Sequence, residues 1–169
     1  DVRIDPDALA ALMPIAQREE LRLLSVFGTW ELVSFWERAL IPTVGWLIRG
    51  AVDLDRVNDP TRAEAFANGQ LILVEREAYD YVGGHGVVRD RILDDVSIAE
   101  AFKRRGLHIG LRPAPWLFRV RLYRSLGEIV SGYGKNLYEG MGRRPTIGLG
   151  AVLFIFIGTL LPFVAVAAG

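Results

Sequence analysis

Residues 93–115, LDDVSIAEAFKRRGLHIGLRPAP, carry the clearest fold signal in the chain. The first part opens with acidic residues, has Lys103 and Arg104 in its last turn and ends at Gly106. This order matches the helix dipole and a glycine C-cap, so it predicts a helix. The LHIGLRPAP that follows predicts a strand ending at prolines. A helix that leads into a strand indicates an α/β fold.

The same kind of signal continues on the N-terminal side of this stretch. GQLILV predicts a short buried strand, and EREAYDYVGG predicts a helix closed by Gly83 and Gly84. Residues 53–66 are polar and predict a connection with a turn near Pro60. At the start of the chain, Asp5 as N-cap and Pro6 as first helical residue predict a helix from about residue 6.

Residues 21–50 combine leucines with Trp30, Trp36 and Trp46 while keeping charged side chains. Tryptophan favours the boundary between membrane and water, so this pattern predicts an interfacial amphipathic helix that is broken near Pro42. A pair of helices buried in a soluble core is the alternative.

A charge-free apolar run covers residues 146–168 and follows Arg143-Arg144 directly. A membrane span needs about 20 helical residues, so the run predicts a transmembrane helix, with a buried core helix as the alternative. Residues 1–102 are mainly acidic, whereas residues 103–144 are mainly basic. Basic residues beside a span favour the cytoplasmic side, which places residues 1–144 on the cytoplasmic face of the membrane.

Several classes of protein lack support in this sequence. The chain has no cysteine, so disulfide frameworks and thiolate metal sites are excluded. Glycine-rich phosphate loops, Ser-His-Asp arrangements and paired metal histidines are also missing, and no nucleic-acid partner is expected. Because the chain opens on Asp1 and ends in an apolar run, we expect a C-terminal piece of a longer protein, inactive by itself.

Three blocks in a fixed order resemble a known family: residues 66–85, residues 92–106 and residues 121–138. They are similar to membrane-anchored enzymes of glycosyltransferase family two, such as ceramide glucosyltransferase and bacterial transferases acting on hopanoids and carotenoids. The resemblance implies that residues 1–115 form the acceptor-side, C-terminal part of a GT-A domain. It also implies a basic interfacial helix region at residues 116–145.

In the resembling family an acidic pair opens the helix of the middle block, and its second acid is the general base. That acid is Asp95 here, while Asp94 takes the place usually held by Glu. A carboxylate suits this position because the acceptor hydroxyl must lose a proton as it attacks the sugar. The alternative is that the aspartates only cap the helix. Gly69 would allow close approach of substrate, or merely a tight turn, and His85 would face the acceptor, or only solvent.

The resemblance also implies sites for the diphosphate of the donor. Asp1 corresponds to the last aspartate of an Asp-any-Asp motif that holds Mg²⁺ or Mn²⁺, although an ordinary surface acid is the alternative. Arg121 and Arg124 match the signature Gln or Arg, two residues, Arg-Trp, with Ser125 in the place of Trp. Guanidinium groups suit a diphosphate, and lipid headgroups are their alternative partners.

The function implied is inverting transfer of a sugar from a nucleotide donor, a uridine diphosphate sugar, to the hydroxyl of a lipid acceptor. One alternative is a processive polysaccharide synthase, for which Trp would be expected at Ser125. Another is a non-catalytic, membrane-anchored interaction module in which the acidic and basic halves pair with each other and with lipid.

Overall fold

The computed structural model describes residues 2–140 together with residues 142, 146, 150 and 157. Within this part the chain is a mixed α/β structure with six α-helices and two three-stranded sheets. The strands are β1 (Val2–Ile4), β2 (Leu23–Phe27), β3 (Thr29–Trp30), β4 (Ile72–Val74), β5 (Ile109–Pro113) and β6 (Phe118–Val120). The helices are α1 (Ala8–Arg18), α2 (Phe35–Ala51), α3 (Leu54–Asn58), α4 (Arg76–Val82), α5 (Asp94–Arg104) and α6 (Leu126–Gly140), and a 3-10 helix covers Gly84–Val87.

The first sheet has the order β4-β2-β5, with β2 at its centre. Leu23 of β2 lies opposite Val74 of the antiparallel β4 and opposite Ile109 of the parallel β5. Leu23, Leu24 and Val26 are all buried, as expected for a strand covered on both faces. Ser25 is the polar exception in this strand, and it is buried as well.

The second sheet has the order β1-β6-β3, and β6 pairs antiparallel with β1 and parallel with β3. Along β6 the side chains alternate, because Phe118 and Val120 are buried while Arg119 between them is exposed. Successive side chains of a strand point to opposite faces, so one face of this sheet packs on the core.

The buried side chains form three apolar clusters. In the first, Ile98 and Phe102 of α5 pack with Leu23 and Ile109 of the first sheet. The second cluster joins α1 to β2 and β6, and the third joins α2 to α6. Helix α5 is thus held against the first sheet by its apolar face, which fixes the position of its acidic first turn.

The prediction of a helix throughout residues 21–50 is wrong for its first part. Residues 23–27 form β2, the central strand, whose backbone pairs with neighbours on both sides. A strand buried on both faces shows no alternation of apolar and polar residues, so its sequence resembles a buried helix. A helix is confirmed only as α2, and it runs through Pro42 without a break.

Several element boundaries also differ from the predicted ones. Helix α1 begins at Ala8 because the Asp5 carboxylate accepts a hydrogen bond from the N–H of Asp7 at 2.9 Å and forms a turn there. The segment after Trp116 first forms β6, so a continuous helix from that point is wrong. The connection at residues 53–66 contains the short helix α3, which Asp53 caps. The predicted β4, α4, α5 and β5 are confirmed.

In the part of the chain that the structure describes, no helix is both long and apolar enough to cross a membrane. The predicted transmembrane helix at residues 146–168 lies outside the described residues, apart from three isolated positions.

The role of α5 in the core predicts a large effect of Phe102→Ala. Phe102 has no exposed surface. Deleting a fully buried Phe side chain lowers the unfolding free energy by about 3–5 kcal/mol. The loss combines the transfer free energy of the removed ring with the cost of the cavity that it leaves. The matched control is Phe35→Ala, since that ring is 72% exposed and should cost only about 0.5 kcal/mol or less. Urea denaturation of both variants checks this, and equal losses would contradict the packing described.

Candidate functional site

Two residues singled out by the resemblance, Asp95 and Gly69, lie in direct contact. Oδ2 of Asp95 accepts a hydrogen bond from the backbone N–H of Gly69 at 2.8 Å. Oδ1 of Asp95 accepts a second one from the N–H of Val96 at 2.8 Å. Asp94 is more exposed, and its carboxylate accepts a hydrogen bond from the N–H of Asp95 at 3.1 Å. The half-buried carboxylate of Asp95 therefore joins the start of α5 to the loop before β4.

The geometry at the start of α5 differs from that of a helix cap. The N-cap residue is Leu93, which makes no side-chain cap, and both aspartates lie inside the first turn. An N-cap side chain accepts a hydrogen bond from an N–H two or three residues further on. Each aspartate instead bonds the N–H of the next residue, and Asp95 also reaches Gly69. Both carboxylates still benefit from the positive end of the helix dipole.

The surroundings of Asp95 raise the pKa of its carboxyl group above the usual value. Burial is the largest cause, because it withdraws water from the charged form. The hydrogen bonds from Val96 and Gly69 act in the opposite direction, and the charge of Asp94 raises the pKa further. A raised pKa makes the ionised carboxylate a stronger proton acceptor.

The loop that carries Gly69 is fixed to the central strand by Ser25 and Asn68. The Ser25 hydroxyl donates to the carbonyl of Asn68 at 3.1 Å and accepts from the N–H of Asn68 at 2.7 Å. The Asn68 side chain donates to the carbonyl of Val26 at 3.0 Å. Sequence reasoning missed both residues. The available signal was a lone serine in the middle of the apolar run LLSVF.

His85 lies in the 3-10 helix, which packs against both α4 and α5. The structure places it beside Tyr79 of α4. Nδ1 of His85 is 2.6 Å from the Tyr79 hydroxyl oxygen, and the His85 backbone N–H donates to that same oxygen at 3.0 Å. His85 is itself exposed, so its imidazole combines a fixed orientation with access to solvent.

Arg121, a predicted ligand of the donor diphosphate, is bound to the buried carboxylate of Glu37. Its Nη2 and Nε groups donate to the two Glu37 oxygens at 2.8 Å and 3.2 Å. Glu37 also accepts from the N–H of Val33 at 2.9 Å and from the Ser34 hydroxyl at 2.8 Å. The pair therefore connects the start of α2 to the segment that follows β6. Glu37 is a residue that sequence reasoning did not identify.

The contacts of Glu37 lower the pKa of its carboxyl group from 4.5 to about 2. The hydrogen bond from Arg121 is the largest cause, followed by that from Val33. Both stabilise the charged form of the acid. A charged side chain with no exposed surface requires such partners, because an unpaired buried charge is costly.

Arg124 and Ser125 lie just before α6. The backbone N–H of Arg124 donates to a carboxylate oxygen of Glu128 at 2.9 Å. The Ser125 hydroxyl accepts from the N–H of Glu128 at 3.3 Å. The Ser125 hydroxyl thus bonds an N–H three residues further on, as an N-cap side chain does, and Glu128 reaches back to the residue before Ser125. The serine that stands in place of the Trp of the family signature thus caps the helix.

A divalent metal site is not found among the described residues, which contain no group of three His, Asp or Glu side chains able to hold an ion. Asp1, the predicted ligand of Mg²⁺ or Mn²⁺, lies outside the described residues.

Of the predicted site residues, the structure brings together Asp94, Asp95 and Gly69. Arg121 is bonded to Glu37, and His85 is bonded to Tyr79.

Comparison of the chain with protein-family models, with curated proteins and with solved structures gives no match. Any function must therefore be argued from the residues of this chain and their geometry.

The ion pair of Glu37 predicts a pH-dependent stability. At neutral pH, Glu37→Gln should lower the thermal midpoint, because Arg121 loses the charge that compensates its own. Since the pKa of Glu37 falls from 4.5 in the unfolded chain to about 2 in the folded one, its contribution is complete above pH 4.5 and disappears towards pH 2.

The difference between wild type and Glu37→Gln should therefore narrow over that pH window when thermal unfolding is followed by circular dichroism. Glu100→Gln is the control, because Glu100 forms an exposed pair with Arg104 at 3.3 Å and should change little at any pH. A difference that stays constant down to pH 2 would rule out the titration of Glu37 as its source.

The contact between Gly69 and Asp95 predicts a cost for Gly69→Ala. A Cβ atom at position 69 would lie 3.0 Å from Oδ2 and 3.3 Å from Cβ of Asp95. Such crowding should displace Asp95 and lower the unfolding free energy by about 1 kcal/mol. Gly86→Ala is the control, because a Cβ there meets nothing within 4 Å. Chemical denaturation compares the two variants, and equal stabilities would show that the contact is loose.

Proposed function

We propose that the chain belongs to a glycosyltransferase that moves a sugar from a nucleotide donor to the hydroxyl of a lipid acceptor. The donor is proposed to be a uridine diphosphate sugar, and the site to face the cytoplasm. The observation that carries this proposal is the half-buried Asp95, held by backbone N–H groups of Gly69 and Val96 at the start of α5. This arrangement is what a general base needs: a fixed carboxylate with a raised pKa.

In the proposed reaction the oxygen of the acceptor hydroxyl attacks the anomeric carbon of the donor sugar. The bond between that carbon and the diphosphate oxygen breaks, and the diphosphate leaves with the bonding electron pair. Asp95 takes the proton of the hydroxyl as the new bond forms. Attack opposite the leaving group inverts the configuration at the anomeric carbon, and no covalent sugar–enzyme intermediate is needed.

The hydrogen bonds that Asp95 accepts support its role as the base, because they orient its carboxylate. The N–H groups of Gly69 and Val96 hold the ionised carboxylate in one orientation, while burial keeps its pKa raised. The two effects oppose each other, so Asp95 is oriented without losing its basicity. Asp94, exposed and adjacent, is proposed to contact the acceptor or the donor sugar.

Binding of the donor diphosphate is proposed to involve Arg121 and Arg124. A guanidinium presents its N–H donors in a planar fork that matches the oxygens of a phosphate. The ion pair with Glu37 supports this by orienting that fork. Mg²⁺ or Mn²⁺ held at Asp1 belongs to the same proposal, and such an ion supplies positive charge next to a leaving diphosphate.

The capped start of α6 supports single transfer rather than processive synthesis. The signature of the processive enzymes would require Trp where Ser125 stands. Here the Ser125 hydroxyl accepts from Glu128 at 3.3 Å and stabilises the first turn of α6. The position therefore serves the helix instead of supplying an aromatic surface.

A membrane location is supported by aromatic side chains in contact with solvent. Phe35 and Trp46 of α2 are 72% and 81% exposed, and Trp116 is 72% exposed. Exposed Trp side chains favour the interface between lipid and water. We therefore propose that α2 lies against the cytoplasmic face and that the charge-free residues 146–168 anchor the protein.

The role of Asp95 predicts a large loss of transfer in Asp95→Asn. Asn keeps the shape of Asp but cannot take the proton, so the rate should fall at least about 100-fold. Transfer is measured with a radiolabelled uridine diphosphate sugar and membrane lipids, using the complete gene product. Donor binding, followed by calorimetry, should remain because the diphosphate is bound by other groups.

Asp94→Asn is the matched control, since it removes the neighbouring carboxylate, and it should lose less activity. Thermal midpoints of both variants separate loss of chemistry from loss of folding. Near-normal transfer by a folded Asp95→Asn protein would refute the proposed function.

A further inference from the structure

One buried side chain, Ser25, has no part in the proposed reaction. Among the described residues only Ser25 and Glu37 are buried polar or charged residues. Glu37 is explained by its pair with Arg121. Ser25 lies in the centre of β2, where an apolar residue would fill the core, and its hydroxyl is used wholly on the backbone of Asn68.

The hydrogen bonds of Ser25 and Asp95 meet on one peptide group. The carbonyl of Asn68 and the N–H of Gly69 belong to the same planar peptide unit, and the described chain contains no cis peptide bond. Ser25 donates to that carbonyl at 3.1 Å, and the N–H on the opposite edge donates to Oδ2 of Asp95 at 2.8 Å. The peptide unit is thus hydrogen-bonded to Ser25 at one edge and to Asp95 at the other.

We infer that Ser25, assisted by Asn68, is a positioning residue that orients the Gly69 N–H towards the carboxylate of Asp95. This inference rests on the proposed function of Asp95 as the base. A hydrogen bond to the carbonyl of a peptide polarises that peptide and strengthens its N–H as a donor. Ser25 therefore acts on both the direction and the strength of the hydrogen bond that Asp95 receives.

Asn68 holds the same loop through its side chain. Its Nδ2 donates to the carbonyl of Val26 at 3.0 Å and to Oε1 of Gln70 at 3.2 Å. With its backbone N–H on Ser25 at 2.7 Å, Asn68 is fixed at three points. Rotation of the peptide between Asn68 and Gly69 would break two bonds together, the one from Ser25 to the carbonyl of Asn68 and the one from the Gly69 N–H to Asp95. The anchored Asn68 and these two bonds therefore keep the N–H in place before any substrate binds.

The hydrogen bond from the Gly69 N–H is one of several influences on the pKa of Asp95. Asp94 is the charged neighbour that raises its pKa, and the Gly69 N–H is one of the groups that lower it. The titratable or charged side chains on elements packed against α5 are Arg76, Glu77, Tyr79, Asp80 and Tyr81 of α4, His85 of the 3-10 helix and Arg112 of β5. Arg76 pairs with Asp80, and Arg112 pairs with Glu19.

The test is an NMR titration of the full chain in detergent micelles, with ¹³C in the aspartate carboxyl carbons and ¹⁵N in glycine. In the wild type, the Gly69 amide proton should shift with pH in step with the carboxyl carbon of Asp95. In Ser25→Ala, that amide shift should fall to about half or less, and the pKa of Asp95 should rise, because the charged form loses a hydrogen bond.

Thr29→Ala is the matched control. Thr29 lies in β3 of the second sheet, and its hydroxyl donates to the carbonyl of Pro115 at 2.7 Å, so the variant also removes one hydroxyl–carbonyl bond. Both readouts should stay at their wild-type values there. A folded Ser25→Ala protein with an unchanged amide shift and an unchanged pKa of Asp95 would overturn the inference, because a hydroxyl that only stabilises the loop moves neither.

Asn68→Ala covers the case in which Ser25→Ala does not fold. It removes the side-chain bonds to Val26 and Gln70 but leaves the hydroxyl of Ser25 in place, so it should reduce the Gly69 amide shift less strongly than Ser25→Ala. Wild-type behaviour of this variant would equally overturn the inference. These readouts need no sugar transfer. An intact coupling, together with a folded Asp95→Asn variant that keeps near-normal transfer in the assay described above, would refute the proposed function alone. Asp95-dependent transfer without the coupling would refute only the role of Ser25.

Discussion

Every polar group of β2 has to find a partner inside the core, because this strand is covered on both faces and paired along both edges. The backbone is satisfied by β4 and β5, and the N–H of Val26 extends the pairing to the carbonyl of Leu71 at 3.2 Å. The hydroxyl of Ser25 is hydrogen-bonded to the carbonyl and the N–H of Asn68. In the described part of the chain, no buried side-chain nitrogen or oxygen lacks a hydrogen-bond partner. The loop before β4 owes its conformation to this requirement.

The same requirement operates at Glu37. Its carboxylate has no exposed surface, so it must be paired, and Arg121 together with the N–H of Val33 meets that need. The two bonded segments, α2 and the segment after β6, also share the third apolar cluster. Arg121, which the resemblance assigns to the donor diphosphate, is therefore part of the internal structure of the described chain through its pair with Glu37.

Local signals in the sequence predicted a substantial part of the fold. Gly83 closes α4 in the left-handed conformation, and Gly106 follows α5 with φ of 70°. Such positions are favourable for glycine alone, which is why they can be recognised without a structure. The central strand β2 was missed for a physical reason. A strand buried on both faces has a continuous apolar sequence, and at five residues it lacks any period that separates it from a helix.

The sequence by itself determined that an acidic pair starts a helix, because acidic first turns, basic last turns and a following glycine are local requirements. The resemblance to the glycosyltransferase family, in turn, singled out Gly69 and Asp95 separately. Only the tertiary structure decided that the N–H of Gly69 meets the carboxylate of Asp95, since these residues are 26 positions apart and their approach depends on the register of β2, β4 and β5. The pairing of Glu37 with Arg121, 84 positions apart, was likewise decided by the fold. Contacts of this kind follow from which apolar faces are buried together, and residue spacing carries no record of that choice.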